Sequence, residues 1–166
     1  MTSAALATIG HFEKDYEFRA LWWAIALMAL TTVHHLYGAV IYQTPWRHHA
    51  ALVATGTVLV SVASFRIHRS MASQRTGQIA FWIFVILSML IAVLGVGLFE
   101  GGYNHTLKNI LYFTTHDAAL MQRLFPPPTY EMPNDAFFEI TGVLQFPLGL
   151  VTGWELIKTI GTHFRE

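Results

Sequence analysis

Long apolar runs without charge dominate the pattern of this chain. Ala20 to Tyr42 contains no formally charged side chain, and neither does Ile79 to Phe99. Each is long enough to cross a hydrocarbon core about 30 Å thick. Two further runs carry charge only at their margins: His48 to Ile67, flanked by Arg47 and Arg66, and Ala136 to Ile157, with Glu139 and Glu155 near its two ends. The pattern predicts an all-α integral membrane protein. It is a four-transmembrane-helix bundle in a single membrane domain, 1-166, with spans over about 20-42, 48-67, 79-99 and 136-157. The links Gln43 to Arg47 and Arg66 to Gly77 are short, so successive spans there are antiparallel neighbours.

The third link, the outer loop 100-135, is far longer than a bundle needs. Within it Leu107, Ile110 and Leu111, then Leu120, Met121 and Leu124, recur at helical spacing with Lys108, Asn109, Gln122 and Arg123 between them. That periodicity predicts one or two short interfacial helices lying on the membrane surface. Pro126, Pro127 and Pro128 end the second of these, and Asn134 or Asp135 is a candidate N-cap for the last span. Gly97 with Gly101, and Gly149 with Gly153, have the spacing that lets membrane helices approach closely. Pro147, just beyond Gln145, is expected to kink the last span.

Composition narrows the class. With 54% hydrophobic and 12% charged residues, the chain is too apolar for an ordinary soluble domain of its size. Lys14, Arg19, Arg66, Arg69, Arg75, Lys158 and Arg165 fall on one side of the four-span arrangement, and only Arg47, Lys108 and Arg123 on the other. The asymmetry predicts cytoplasmic N- and C-termini, an extracytoplasmic long loop, and residence in the cell inner (plasma) membrane. Met1 to Arg19 lacks an early basic region and does not read as a cleaved signal, which leaves the first span as the insertion signal. No basic patch interleaved with aromatics is left over, which argues against nucleic acid. The absence of cysteine removes thiolate metal sites, disulfides and thiol nucleophiles.

Against that apolar background, His34, His35, His48, His49, Glu100, His105, His116, Glu131, Asp135 and Glu139 all fall near one end of the predicted spans. Ionisable groups at hydrocarbon depth are costly, so such clustering points to a site. The metal reading takes His34, His35, Glu100, His105 and Glu139 as ligands, with His48, His49 or His116 closing the shell from the loops. Glu139, Glu100 and His34 are the candidate catalytic groups. Adjacent histidines point about 100° apart on a helix, so one of His34 and His35 is expected to face the shared centre. Nitrogen and oxygen donors suit zinc, iron, manganese or oxidised copper. Haem ranks lower, because only the first span carries histidine deep in the membrane. The five-position separation of Glu100 and His105 is not the Glu-x-x-His spacing of helical di-iron bundles, although Gly101 and Gly102 permit a bend there. His11, His68 and His163 fall on the opposite side, as solvated or interfacial groups.

Two other readings stand beside the metal site. Glu139 with His34 or His35 in a low-dielectric pocket suits metal-free proton transfer on a lipid or sterol-like substrate. Glu100 with Tyr103, and Asp135, Glu139, Thr141 and Pro147, resemble the buried acid and base groups of small membrane sterol isomerases related to emopamil-binding protein, in a different span order. The resemblance implies isomerase-like chemistry and does not extend to membership of that family. The last reading is a non-catalytic transporter or assembly subunit that docks through the aromatic and proline-rich segment Phe125 to Phe138. Expected partners are the lipid bilayer, a lipid-like small molecule, and a second copy or a membrane partner subunit.

Overall fold

The computed structural model describes residues 3–127 and 129–165, with side chains from Tyr16 onward. His11, Glu13, Lys14 and Asp15 as side chains, and Pro128, lie outside the described residues. The described chain is helical, without strands. Its long helices are α1 (Ser3–Ile41), α2 (His48–Ser70), α3 (Arg75–Thr115) and, after the short α4 (Ala118–Leu124), α5 (Ala136–His163). The apolar stretches Tyr16–Ile41, Pro45–Ser70, Arg75–Thr115 and Ala136–His163 have 26, 26, 41 and 28 residues. All four exceed the roughly 20 residues that a membrane crossing requires.

The four long helices close into a ring in which α1 packs on α2 and α5, and α3 packs on α2 and α5. Large apolar side chains such as Leu52, Leu59, Ile79, Ile86, Leu90, Ile140 and Ile157 are exposed, while Thr31, Ser61, Ser88, Gln145 and Thr152 are buried. An apolar outside around a partly polar inside is the distribution expected of a bundle solvated by lipid. Gly97 of α3 and Gly149 of α5 meet backbone to backbone, and Gly101 packs on Gln145 and Phe146; a β-carbon at any of these positions would overlap the facing helix. The small-residue spacing is therefore the contact seam of α3 and α5.

The outer loop differs from its expected form. Instead of ending near Phe99, α3 continues to Thr115, so only α4 and its flanks remain between α3 and α5. Within it Ser88–Leu107 is wound as a π-helix, the winding in which amides reach carbonyls five residues back. Gly101 and Gly102, candidates for a bend, lie inside this helix and let it approach Phe146 of α5. Lys108 and Asn109, expected on the wet face of a surface helix, turn toward α5. Asp135 caps α5 by accepting from the Phe138 amide at 2.8 Å, and Asp117 does the same for α4 through Leu120 at 3.0 Å. The helix α5 runs on through Pro147.

Candidate metal centre

The wide winding of α3 builds the centre of the site. On an α-helix, residues five apart point about 140° away from each other. The wider turn of a π-helix brings them closer, and the buried positions Ser88, Ala92, Gly97, Gly101 and His105 recur every four to five residues. Glu100 and His105 thus face each other, with His105 Nε2 3.5 Å from Glu100 Oε1. Thr106 repeats the geometry, its hydroxyl donating to the Gly101 carbonyl at 2.8 Å.

Two further imidazoles converge on the same carboxylate oxygen from α1. His34 Nε2 and His35 Nε2 each lie 3.8 Å from Glu100 Oε1. Only His34 of the pair joins Glu100 and His105 with ligand atoms within 4.8 Å of one another, as helix geometry predicted, while His35 flanks Glu100. The rings of His34 and His35 are perpendicular, as are those of His34 and His105, and His34 stacks on Phe138 with centroids 4.1 Å apart. His34 is fully buried.

The partners on the far side of two rings decide which nitrogen is free. His34 Nδ1 is 3.0 Å from Thr141 Oγ1. The single Thr141 hydroxyl proton is directed to the Phe137 carbonyl at 2.8 Å, so Thr141 accepts and His34 Nδ1–H donates. Neutral His34 then presents an unprotonated Nε2, which is buried and has no hydrogen-bond partner among the described residues. His105 Nδ1 is 3.0 Å from Glu139 Oε2. A carboxylate only accepts, so this nitrogen also donates, and a neutral His105 turns a bare Nε2 to Glu100. With both rings neutral, two bare imidazole nitrogens face one carboxylate.

Charge pairing around the site points the same way. Glu139 is served by Lys108 Nζ at 3.1 Å and Asn109 Nδ2 at 2.7 Å. Glu131 lies 4.0 Å from Arg47. Glu100 has Asn104 Nδ2 at 2.6 Å and the three imidazoles, with no lysine or arginine within 4.0 Å among the described residues. A half-buried carboxylate that faces imidazoles with no lysine or arginine beside it lacks a cation. Ligand atoms of His34, Glu100 and His105 lie within 4.8 Å of one another. Metal–ligand bonds of 2.0–2.2 Å in a tetrahedral shell put donor atoms about 3.4 Å apart, close to the 3.5 Å separation of His105 from Glu100.

A cavity of about 270 Å³ reaches the centre from the loop side, lined by His35, Glu100, His105, Arg47, Lys108 and Tyr130 among others. Burial, ahead of the neighbouring Tyr103 and Glu100, holds the Tyr130 phenol above its ordinary value, so it remains a proton donor at neutral pH. Tyr42, pushed up to about 12 mainly by burial, donates to Asn134 at 2.5 Å and ties the end of α1 to the start of α5.

The remaining expected site residues lie elsewhere. Glu139 stands behind His105, on the opposite side of the ring from Glu100. His48 Nδ1 is turned to the Pro45 carbonyl at 2.6 Å, and His49 lies beside the Trp46 ring. His116 ends α3 in a left-handed conformation with φ 52° and lines a separate, largely apolar cavity of about 600 Å³. Thr141 entered the sequence reading only through the isomerase resemblance, and Lys108, Asn109 and Asn104, which also support the cluster, escaped it as members. Their one signal was helical register: Asn104 falls one turn after Glu100, and Lys108 and Asn109 one turn after His105. No protein-family model matches the chain, and no curated protein or solved structure is significantly similar to it.

Proposed function

We propose that this is a multi-pass membrane protein that holds one divalent transition metal between α1 and α3, through Nε2 of His34 and His105 and Oε1 of Glu100, with His35 flanking the carboxylate. The observation that carries the proposal is the pair of Nδ1 contacts: Thr141 and Glu139 each accept from the Nδ1–H of a histidine, which in its neutral form turns a bare Nε2 toward a carboxylate with no lysine or arginine beside it. Such a carboxylate–histidine arrangement orients an imidazole for a metal and raises its basicity. Two nitrogens and one oxygen suit zinc, iron or oxidised copper. The cavity beside Glu100 leaves room for a small polar group to approach, consistent with metal-dependent, oxidoreductase-type chemistry on a small or membrane-borne substrate. The distribution of lysine and arginine supports an extracytoplasmic position for this end of the bundle.

Haem fits less well. The His34 and His105 rings are in edge contact, with centroids 4.6 Å apart, which leaves no gap for a macrocycle between them. A metal-free proton relay has one observation in its favour, since His105 is bracketed by Glu139 at Nδ1 and Glu100 at Nε2. Elemental analysis of protein purified in mild detergent without chelator separates the two. The metal reading expects about one equivalent per chain, falling below about a tenth in His34→Ala and Glu100→Ala. A folded, metal-free wild-type protein that takes up none of the added zinc, iron or copper would leave the relay.

A further inference from the structure

The side of the centre facing the middle of the bundle holds polar groups that the ligand set does not use. Along one face of α5, Thr141 bonds His34, Gly142 lies against the His105 ring, and the Cβ of Gln145 packs on Gly101, the residue after Glu100. Gln145 therefore leaves α5 at the inner rim of the cluster. Helical side chains lean toward the N-terminus of their helix, and for α5 that direction leads to Thr141 and the centre. Gln145 is 0% exposed, yet neither its amide oxygen nor its amide nitrogen has a hydrogen-bond partner among the described residues. Thr31, one turn before His34 on α1, is also buried with an unpartnered hydroxyl.

Buried amides without protein partners are served by water or by a ligand. Further inward the bundle is sealed by the apolar cluster of Ala24, Leu27, Met28, Ala54 and Ala92 and by the backbone contact of Gly97 with Gly149. Of the unpartnered groups, Thr31 lies one turn from His34, and Gln145 packs on the residue after Glu100.

We propose that Gln145 and Thr31 bind a single exchangeable oxygen ligand, water or hydroxide, at the inward coordination position of the metal. The inference rests on the metal reading above and adds to it the place and partners of the exchangeable ligand. A bound water needs two to four polar partners, and the metal, the Gln145 amide and the Thr31 hydroxyl supply three. Gln145 acts here as a positioning residue: its amide orients what binds, while the imidazoles and Glu100 hold the metal.

The test uses the full-length chain in detergent, loaded with cobalt(II), and follows the visible bands as azide displaces the oxygen ligand. The wild type should bind one cobalt and respond to azide. Gln145→Leu should keep the metal and the wild-type melting temperature, while its azide affinity falls at least about tenfold, the loss of one hydrogen bond to a charged group. Thr31→Val should give a smaller change in the same direction, and it supplies the readout if Gln145→Leu fails to fold. Unchanged azide affinity in a cobalt-loaded variant would overturn the assignment, as would a lower melting temperature with no spectral change, which marks a structural amide. Failure of the wild type to bind cobalt, zinc, iron or copper would instead overturn the metal centre itself.

Discussion

His68 and His34 are both buried histidines on long helices, near opposite ends of the bundle, and their surroundings differ in one respect. Both nitrogens of His68 are engaged, Nδ1 with the Gly77 carbonyl at 3.0 Å and Nε2 with Glu17 at 3.3 Å. His34 has a partner for Nδ1 alone. The acidic groups repeat the contrast: Glu155 is held by Arg19 at 2.6 Å, whereas Glu100 faces imidazoles. Burial of an ionisable group is thus common to both ends. Both ends keep unpartnered oxygens, Glu155 Oε2 among them, but among the described residues unpartnered buried imidazole nitrogen occurs at the end with the His/Glu cluster, on His34 and His35, and it accounts for cost without an evident return in stability.

The largest effect is expected from exchanging these two histidines for alanine in turn. His105→Ala or His34→Ala should remove most bound metal. His68→Ala should leave metal content at the wild-type level and lower stability by about 1–3 kcal/mol, because it strips partners from a buried carbonyl and a half-buried carboxylate. Metal analysis and thermal unfolding on the same preparations check both. Loss of metal in His68→Ala would break the distinction between a satisfied histidine and a ligating one.

Glycines sharpen the contrast by shape alone. A β-carbon at Gly142 would overlap the His105 imidazole, whereas Gly56 on α2 has nothing within 4 Å. Gly142→Ala should displace His105 from Glu100 and Glu139 and lower metal affinity more than tenfold, with a loss of stability typical of overpacking, about 1–3 kcal/mol. Gly56→Ala should be neutral or stabilising by about 0.5–1 kcal/mol, as expected for replacing a glycine inside a helix. Metal titration and melting curves of the two variants provide the measurement.

Much of this arrangement could be read from residues alone, for identifiable reasons. Four apolar helices follow from charge-free runs such as Ile79 to Phe99, because desolvating charge dominates at hydrocarbon depth. The gathering of His34, Glu100 and His105 follows from their common depth. The relation between Glu100 and His105 did not follow, because five-residue spacing is unproductive on an α-helix and brings the two closer only where α3 is wound as a π-helix against the glycine seam of α5. That winding is set by tertiary contact. The same continuity of α3 carries Lys108 inward to Glu139, although its local pattern fits a surface helix equally well. Periodicity reports that a residue lies on a helix face and leaves open which neighbour that face meets.

The smallest effects should come from the groups behind the ligands, and they separate charge from tautomer control. Glu139→Gln keeps the size of the side chain but removes the carboxylate that fixes the His105 proton at Nδ1 and pairs with Lys108. Loss of an outer partner of this kind costs about 10–100-fold in metal affinity. Thr141→Val removes only a neutral acceptor from His34 Nδ1. With that hydroxyl gone, the His34 proton is free to move to Nε2, where it blocks ligation, so affinity should fall by about tenfold, the low end of the same range. Thr141→Ser restores the oxygen without the methyl group and should recover most of the loss. Competition titrations with a chromophoric chelator rank the three variants. Equal affinities for Thr141→Val and Thr141→Ser would mean that His34 is held by its stacking on Phe138 and that the hydroxyl has no part in choosing the tautomer.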